Sequence, residues 1–464
     1  MSGLYVHVPF CVQKCAYCDF YSLPSRLDSI GSYVQAVLTE AEKYACHSED
    51  TKYLKNLAPI PSFPSAQTPS NTSSPSFLRR DLKRELYRQN QSFDTLYLGG
   101  GTPSLLGAKN LTALVEGLSK TFNLLVLFES STKYFRRLSD LEESRRSLPT
   151  AVERDMVQQS KCTPPCGREP ERGVSTLGLA ESTIEVNPES ADPAFLQAVK
   201  TLGFNRVSFG VQSLSDYELK SVGRIHTAAQ AINAIKQAQK LGFQAISADL
   251  MIGLPGQTWP SLRASLDTLV KMGIQHLSVY CLSMEEGTNL ANNPPPDLPS
   301  DETQAQLFEE ARGFLLQCGY AHYEISNFAL PGFACLHNLN YWRGGEYLGL
   351  GPAAASHLDG KRFRNKSNLD AYLNNPTEQI EYVEELGKKE KAAEEAMLRL
   401  RLLEEGLDTI ELAAKFGMEN VLELTGRLEK LASEGLLIKN GSNYRLTPSR
   451  IMTSNPIFTR VLAD

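Results

Sequence analysis

The chain alternates between short apolar segments and longer amphipathic segments over most of its length. The short segments are rich in β-branched residues, which predicts strands, and the longer ones have the 3.6-residue periodicity of helices. The predicted strands cover residues 4–8, 95–99, 183–186, 206–211, 245–252 and 277–282. The predicted helices, several of which open with Ser, Asp, Thr or Pro, cover residues 30–45, 104–122, 194–202, 227–241, 260–272 and 301–318.

Strands that alternate with helices predict an α/β fold, because parallel strands need helical crossovers. The pattern alone is compatible with an open doubly wound sheet and with an incomplete (β/α) barrel. In both folds the carboxyl ends of the strands form the functional edge. Polar and cysteine-rich segments that follow strands are therefore the first candidates for a site.

Two segments interrupt the alternation. Residues 46–92 contain APIPSFPSAQTPSNTSSPS, in which Pro and Ser leave too little apolar surface to offset the entropy of ordering. Residues 124–179 contain charged runs and CTPPCGREPERG, whose Cys162 and Cys166 are expected to have no metal or redox role. We expect both segments to be disordered insertions, or translated intron sequence. Each follows a helix and precedes a strand, which predicts a position opposite the functional edge.

The carboxyl-terminal part, residues 381–464, has a different character. Charged helical segments are followed by IKNGSNYRLT, whose Asn-Gly dipeptide predicts a hairpin turn, and together they predict a winged-helix-like domain. Helix–turn–helix modules often bind DNA, but the charge balance of the candidate recognition helix is unfavourable for phosphate contacts. We therefore expect this domain to pack against the chain or to contact protein. The charged residues concerned are Glu419, Glu423, Arg427, Glu429, Lys430 and Glu434.

Composition narrows the class of protein. With 464 residues the chain exceeds what one core usually organises, so a main domain and a smaller one are expected. A hydrophobic fraction of 42% and a charged fraction of 22% are typical of a soluble globular protein, and no run approaches the roughly 20 apolar residues of a membrane span. The net charge of -6 gives no general attraction for a polyanion, so nucleic acid is not an expected partner.

Cysteine usage bears on the compartment. Nine cysteines are spread thinly over the chain except for one cluster, unlike the disulfide framework of a small secreted domain. A reducing compartment is therefore expected. The first predicted strand leaves no room for a targeting segment ahead of it, which predicts a cytoplasmic protein, or an organellar one if the amino terminus is truncated.

The cysteine cluster directly follows the first predicted strand. Cys11, Cys15 and Cys18 have the spacing C-x3-C-x2-C. Three thiolates on one short loop can each bind one iron of a 4Fe-4S cubane and leave the fourth iron without a protein ligand. Because an open metal position is reactive, this loop is a candidate for chemistry.

Zinc is the alternative occupant of the loop. A structural zinc site needs four ligands in a closed arrangement. His7 could be recruited as the fourth ligand, but it lies within the predicted strand, two residues before Pro9. No later pair of residues has the spacing of a zinc ribbon. Three idle thiols are the remaining possibility, and the spacing favours an iron–sulfur cluster over both.

At these residues the sequence resembles the radical S-adenosylmethionine superfamily, and more closely its group of oxygen-independent coproporphyrinogen III oxidases and heme chaperones. The resemblance covers nearly everything outside the two insertions. It implies an incomplete parallel (β/α)6 barrel, and a cluster whose fourth iron is chelated by the amino and carboxylate groups of S-adenosylmethionine. In that superfamily an electron from the reduced cluster cleaves the sulfonium to a 5'-deoxyadenosyl radical, so an electron donor is an implied partner.

The resemblance also implies S-adenosylmethionine contacts at the ends of the other strands. Arg224 can bind a carboxylate as a fork, and Glu185 and Asp249 can accept hydrogen bonds from ribose hydroxyls or an amino group. The glycines of LGGGTPS let the backbone approach a ligand that a Cβ would exclude. The positions that match are Tyr5, Tyr17, Gly100, Gly101, Thr102, Glu185, Gln212, Arg224 and Asp249.

Two differences separate the branches of the group. The oxidases extend the loop to C-x3-C-x2-C-x-C, whereas this sequence has Phe20 at the last position, as the chaperones do. The oxidases also carry a segment ahead of the first strand that helps to bind their substrate, and this sequence has almost nothing there. Both differences imply the chaperone branch.

A third feature is HNLNYW, which begins at His337 and matches the HNxxYW motif associated with the chaperones. An imidazole can ligate heme iron, and the rings of Tyr341 and Trp342 can pack on the macrocycle. The resemblance therefore implies His337 as a heme ligand. His322 and His357 lie near enough in the sequence to be alternative ligands.

These features predict a heme chaperone that binds a 4Fe-4S cluster, S-adenosylmethionine and heme, and that passes heme to acceptor proteins. The alternative is an enzyme that oxidatively decarboxylates coproporphyrinogen III. A winged-helix regulator that senses heme or iron is a third class, disfavoured by the acidic recognition helix. The predicted domains are the barrel core at 1–290, an extension with the HNxxYW motif at 291–380, and the winged-helix-like domain at 381–464.

Overall fold

A computed structural model describes residues 1–24, 26–45, 93–124 and 177–462. The first predicted insertion and most of the second, including Cys162 and Cys166, lie outside the described residues. Leu124, Leu177 and Leu179 are described and buried in the core. The predicted bounds of the second insertion were therefore too wide, because its apolar end residues belong to the packed fold.

All six predicted strands are present, and they pair in parallel in chain order. They are β1 (Ser2–Val8), β2 (Thr95–Gly100), β3 (Glu181–Val186), β4 (Arg206–Gln212), β5 (Ala245–Ile252) and β6 (His276–Cys281). The predicted helices are α1 (Ile30–Ala45), α2 (Gly107–Phe122), α3 (Pro193–Thr201), α4 (Ala228–Lys240), α5 (Trp259–Lys271) and α6 (Asp301–Gln317). The predicted start at Thr227 is confirmed, because its side-chain oxygen accepts a backbone hydrogen bond from the first turn of α4. Asp192 and Ser300, which lie just ahead of the predicted starts, cap α3 and α6 in the same way.

The two faces of the parallel strands differ in polarity. One face is apolar and packs with the helices in one buried cluster, to which β1 contributes Leu4, Val6 and Val8. The other, the inner face, carries buried polar side chains that bond to one another across neighbouring strands, as Arg206 Nε does to Glu181 Oε2 at 2.9 Å. Apolar packing therefore holds the fold, and the inner face is free to carry polar groups for binding.

The segment after α6 extends the sheet at both edges, which the sequence did not predict. The added strands are β7 (Ala321–Glu324), β8 (Asn327–Ala329), β9 (Glu346–Leu350), β10 (Ala355–Leu358), β11 (Lys361–Asn365) and β12 (Ile380–Glu385). β8 and β7 continue beyond β6, whereas β9 pairs in parallel with β1 and leads to β10, β11 and β12. Within the described residues the sheet thus has 12 strands, and its edges, β7 and β12, are not paired with each other, so the barrel is incomplete as predicted.

A buried carboxylate ties this extension to α1. Glu40 accepts hydrogen bonds from Gly351 N at 2.9 Å, from Asn365 Nδ2 at 2.9 Å and from the Tyr372 hydroxyl at 2.6 Å. Because a buried carboxylate is costly unless its oxygens are paired, these donors have to come together around it. The extension is therefore fixed in one register against the barrel.

The HNxxYW motif forms a short helix, α7 (Leu336–Trp342), at the amino-terminal end of the inner face. Glu181 Oε1 accepts hydrogen bonds from His337 N and from the Cys335 thiol, each at 3.1 Å. Arg206, the partner of Glu181, donates to the Phe333 carbonyl at 2.8 Å. One buried ion pair therefore anchors the motif to the first residues of β3 and β4.

The carboxyl-terminal region contains the predicted helices and hairpin. Its elements are α8 (Lys388–Arg399), α9 (Thr409–Phe416), α10 (Met418–Ser433), α11 (Ser454–Leu462), β13 (Leu407–Asp408), β14 (Leu437–Asn440) and β15 (Asn443–Leu446). The predicted Asn-Gly turn is displaced by one residue: Asn440 pairs with Asn443, and Gly441 has the positive φ of 62° that the first position of the loop needs.

The acidic side chains of the candidate recognition helix have partners within the same region. Glu423, Glu429 and Glu434 pair with cations, and those cations are Lys389, Lys439 and Arg460. The packed face of this helix is its apolar one, which buries Val421, Leu424, Leu428 and Leu431.

Two further observations concern the cysteines and the helices. The six described cysteines are all free thiols. None of the helices in the described part of the chain has the length and apolar character to cross a membrane.

Candidate functional site

A cavity of about 440 Å³ opens at the carboxyl ends of the parallel strands, a size typical of small-molecule sites. Its wall contains the three clustered thiols Cys11, Cys15 and Cys18. It also contains most of the contact residues predicted from the resemblance, which are Tyr17, Gly100, Gly101, Thr102, Glu185, Gln212, Arg224 and Asp249. Tyr5 is the exception: it lies deeper on the inner face, where its hydroxyl bonds to His7 Nδ1 at 3.0 Å.

Backbone hydrogen bonds hold the cysteine loop over the strand ends. Its base is closed by the short parallel pair of Phe10–Cys11 with Leu23–Pro24. Its middle is bonded to the segment after β4, since Ala16 N donates to the Val222 carbonyl at 3.1 Å. The thiols therefore sit on a loop that is fixed on two sides.

Two glycines let the end of β2 approach the start of this loop. Gly101 N donates to the Val8 carbonyl at 2.8 Å, and a Cβ at Gly101 would lie 2.5 Å from the Phe10 carbonyl oxygen. Gly100 has a φ of 109°, and a Cβ there would meet the His7 ring at 2.8 Å. The sequence predicted that these glycines let the backbone approach a ligand. The structure shows in addition that they let the end of β2 approach the backbone that leads into the cysteine loop.

The chemistry of the donors fits an iron–sulfur cluster. Cys11 Sγ lies 3.4 Å from Thr102 Oγ1, and Arg224 Nη1 donates to Cys15 Sγ at 3.6 Å. Among the described residues, no three His, Cys, Asp or Glu side chains converge as ligands of one ion. A cubane does not need such convergence, because each thiolate binds a different iron.

Arg224 crosses the cavity wall and carries an unused donor. Its Nη2 donates to the Gly210 carbonyl at 2.6 Å and to Asn187 Oδ1 at 3.0 Å. Its Nε is buried and has no hydrogen-bond partner in the described part of the chain. A buried, unpaired guanidinium N–H is costly, and a ligand carboxylate would satisfy it.

Asn187 is a site residue that the sequence analysis missed. Its Oδ1 accepts from Arg224, and its Nδ2 donates to Thr102 Oγ1 at 3.0 Å, so it joins two predicted contact residues in one network. It directly follows β3, two positions after Glu185 in TIEVNP. That position at a strand end was the signal that could have identified it.

Gln212 has a backbone conformation that is rare for its residue type. Its φ is 63°, and the pairing of β4 with β5 is irregular between Phe209 and Gln212. The Tyr280 hydroxyl donates to Gln212 Oε1 at 2.8 Å and holds the side chain in place. Backbone strain of this kind persists only where the surroundings enforce it, and it is common at binding sites.

Two partly buried carboxylates face the cavity. Glu185 accepts hydrogen bonds from the Tyr97 hydroxyl at 2.7 Å and from Gly100 N at 3.2 Å, yet burial and the neighbouring Asp249 raise its pKa to about 7. Burial likewise raises the pKa of Asp249 to about 6, although Ser208 Oγ donates to it at 3.3 Å. The protein alone therefore does not fully stabilise the two anions, as expected where a ligand supplies further donors or positive charge.

The histidine of the HNxxYW motif does not reach this cavity. His337 is 1% exposed and lies at the other end of the inner face. Its Nδ1 bonds to Thr95 Oγ1 and its Nε2 to the Tyr341 hydroxyl, each at 2.8 Å, and its ring stacks on Tyr97 with centroids 5.1 Å apart. In this arrangement neither nitrogen is available to iron, so its role as a heme ligand stays a prediction.

Comparison with known proteins agrees with these features. The family model described as "Radical SAM superfamily" matches residues 5–269, and the model described as "HemN C-terminal domain" matches residues 386–450. The heme chaperone HemW of Escherichia coli is 29% identical and that of Lactococcus lactis 26%, and each alignment spans 100% of this chain and 98% of the relative. The solved coproporphyrinogen III oxidase HemN of E. coli has a TM-score of 0.68 at 18% identity, covering 99% of this chain and 89% of that one, and it therefore shares the fold.

We predict that Gly101→Ala displaces the cysteine loop. The new methyl group would lie 2.5 Å from a backbone oxygen that cannot rotate away, so a cost of about 1–3 kcal/mol is expected, together with lower iron content after anaerobic reconstitution. Gly313→Ala in α6 is the matched control, because its Cβ would enter open space and alanine favours helix. Full iron content in Gly101→Ala would contradict the proposed packing.

A second prediction concerns the pH dependence of stability. Because the pKa of Glu185 in the folded protein is about 7, above its ordinary 4.5, this group makes the folded state less stable as pH rises from about 5 to 8. Glu185→Gln removes that dependence. The variant should exceed the wild type in free energy of unfolding at pH 8, by up to about 3 kcal/mol, and lose this advantage near pH 5.

Denaturant titrations of the cofactor-free protein between pH 5 and pH 8 provide the measurement. Glu116→Gln on the exposed face of α2 is the control and should follow the wild type throughout. A Glu185→Gln curve parallel to that of the wild type would show that Glu185 titrates normally.

Proposed function

The chain belongs to the radical S-adenosylmethionine superfamily, and from this premise we propose that it is a heme chaperone, which binds heme and passes it to acceptor proteins. The single observation that carries the proposal is the similarity to two bacterial HemW proteins over essentially the full length of all three chains. This similarity extends through the region beyond residue 290 and the carboxyl-terminal domain, outside the residues that the superfamily model matches. Acceptor proteins and an electron donor belong to the proposal, as does the cytoplasm as its compartment.

The cysteine cavity is the proposed site of the 4Fe-4S cluster and S-adenosylmethionine. Cys11, Cys15 and Cys18 would hold the cluster, and when bound the two groups supply one-electron chemistry. Arg224 would orient a carboxylate through its unpaired Nε, and Asn187 keeps that guanidinium in place. Glu185 and Asp249, which line the cavity, would accept hydrogen bonds from the nucleotide.

Phe20 supports the chaperone over the oxidase. Its side chain is 63% exposed and lines the mouth of the cavity, at the position where the oxidases place a further cysteine. A phenylalanine ring there cannot ligate iron. The likeness to the solved oxidase concerns the fold, which is compatible with both functions.

Two parallel assays on the anaerobically reconstituted full-length chain separate chaperone from oxidase. One offers coproporphyrinogen III with S-adenosylmethionine and a reductant, and the other offers heme followed by apomyoglobin as a general acceptor. We expect heme to be retained and then transferred, without decarboxylation. Because three thiols and not the heme site are changed, the variant with Cys11, Cys15 and Cys18 all replaced by Ala should still retain heme.

Two results would contradict the proposed chaperone function. Formation of protoporphyrinogen IX with release of carbon dioxide would assign the oxidase reaction to this chain. Failure of the wild type to retain heme under any condition would contradict the chaperone function itself.

A further inference from the structure

A buried histidine lies behind the part of the cavity wall that carries Arg224. His226 is 3% exposed and is not one of the wall residues, but it follows Arg224 by two positions in the GRIH segment, residues 223–226. We propose that His226 and Glu189 form a pair that positions Arg224 to bind the carboxylate of S-adenosylmethionine. This inference rests on the proposed S-adenosylmethionine site and adds two positioning residues to it.

The GRIH segment is tied to the end of β4 through two successive carbonyl groups. Arg224 Nη2 donates to the Gly210 carbonyl at 2.6 Å, and His226 Nε2 lies 3.1 Å from the Val211 carbonyl oxygen. Because a carbonyl oxygen only accepts hydrogen bonds, Nε2 carries a proton and donates it. The next residue of β4 is Gln212, which has a positive φ and lines the cavity. His226 therefore holds the stretch of β4 to which the Arg224 side chain is bonded.

The other ring nitrogen of His226 faces a carboxylate. Its Nδ1 lies 3.4 Å from Glu189 Oε2, and both atoms are buried without a further partner among the described residues. Since Nε2 already carries a proton, the contact is attractive only when one more proton lies between Nδ1 and Oε2. Burial alone would raise the pKa of Glu189, but its contact with His226 and the charge of Arg224 hold that pKa below its ordinary value. The pair is therefore held together by one shared proton.

The segment that follows β3 contacts the GRIH segment at two matching positions. Asn187 Oδ1 accepts from Arg224 Nη2 at 3.0 Å, and two residues later Glu189 faces His226. Two residues on one segment thus contact two residues with the same spacing on the other. Two contacts fix the direction of a segment as well as its position, which a single contact does not.

Preorganisation of Arg224 is the consequence for ligand binding. Its Nε is buried in the wall without a partner among the described residues, which is costly, and a side chain that was free to move would turn this group towards water. The bonds around the GRIH segment prevent that movement. A ligand carboxylate then meets a donor that is already in place, and less binding energy is lost in ordering the site.

Binding of S-adenosylmethionine and of its decarboxylated analogue to the anaerobically reconstituted full-length chain tests the proposal. The two ligands differ only in the carboxylate that Arg224 would bind. For His226→Gln we expect the dissociation constant of S-adenosylmethionine to rise by at least about tenfold, and that of the analogue to change by less than about twofold. The glutamine amide can still donate to the Val211 carbonyl, so this variant removes chiefly the contact with Glu189.

Two variants of Glu189 examine the shared proton. Glu189→Ala should reproduce the selective loss of affinity for S-adenosylmethionine, because it leaves Nδ1 of His226 without a partner. Glu189→Gln should keep most of the wild-type affinity, because its amide N–H can donate to an unprotonated Nδ1. Rescue by the isosteric variant shows that the hydrogen bond, and not only the carboxylate charge, positions Arg224.

Two controls separate positioning from general damage. His322 is also buried, its Nε2 bonds to the Ile325 carbonyl at 3.0 Å and its Nδ1 has no partner in the described part of the chain, so His322→Gln is the matched variant and should bind both ligands as the wild type does. In an Arg224→Ala background, adding His226→Gln should weaken binding no further, because the two changes act on the same contact. Iron content and the electron paramagnetic resonance of the reduced cluster establish that each variant holds its cluster.

Three results would overturn the proposal. The first is wild-type affinity for S-adenosylmethionine in His226→Gln and Glu189→Ala, and the second is an equal loss of both ligands, which would assign His226 to the stability of the fold. The third is a further loss when His226→Gln is added to Arg224→Ala. If the wild type binds S-adenosylmethionine no better than the analogue, or binds neither, the proposed site itself fails, which distinguishes that outcome from failure of the pair alone.

Discussion

The close approach of the Gly101 backbone to the Val8–Phe10 segment, with Gly101 N bonded to the Val8 carbonyl, is the constraint on which the cysteine site depends. It joins the end of β2 to the start of the loop, and it leaves no room for a side chain at Gly101. With the loop fixed there and at Val222, three thiols that are close in sequence face one cavity with Arg224, Glu185 and Asp249. The geometry of the site therefore depends on the backbone at the carboxyl ends of β1 and β2 as well as on the cysteine loop.

The site also depends on the polarity of the inner face of the sheet. Apolar side chains on the opposite face hold the strands to the helices, so the inner face can bury groups that cost stability. Arg206 and Glu181 pair with each other and anchor the HNxxYW helix at one end. Glu185, Asp249 and Arg224 at the other end are less completely paired, which is the property of a site that binds polar ligands.

Sequence patterns predicted the parts of the structure that have strong periodicity. The six parallel strands and six helices are long enough for their apolar positions to be recognised, and the cysteines that their spacing singled out lie in the wall of the cavity. Strands such as β7 and β8 are too short to show alternation, so the extension of the sheet was not foreseen.

Among the site residues, Asn187 was missed because its role depends on contacts across the sheet. The resemblance supplied positions but no contacts, and the locations of Tyr5 and His337 away from the cavity became visible only in three dimensions.

The central claim is that three thiolates of one loop hold a cluster with one iron open to S-adenosylmethionine. Mössbauer spectroscopy of anaerobically reconstituted protein labelled with iron-57, recorded before and after addition of S-adenosylmethionine, tests this claim most directly. We predict that one iron in four changes its isomer shift when S-adenosylmethionine binds, while the other three keep theirs. A purified protein with stoichiometric zinc and no acid-labile sulfide, or a reconstituted cluster whose four irons all remain unchanged, would contradict it.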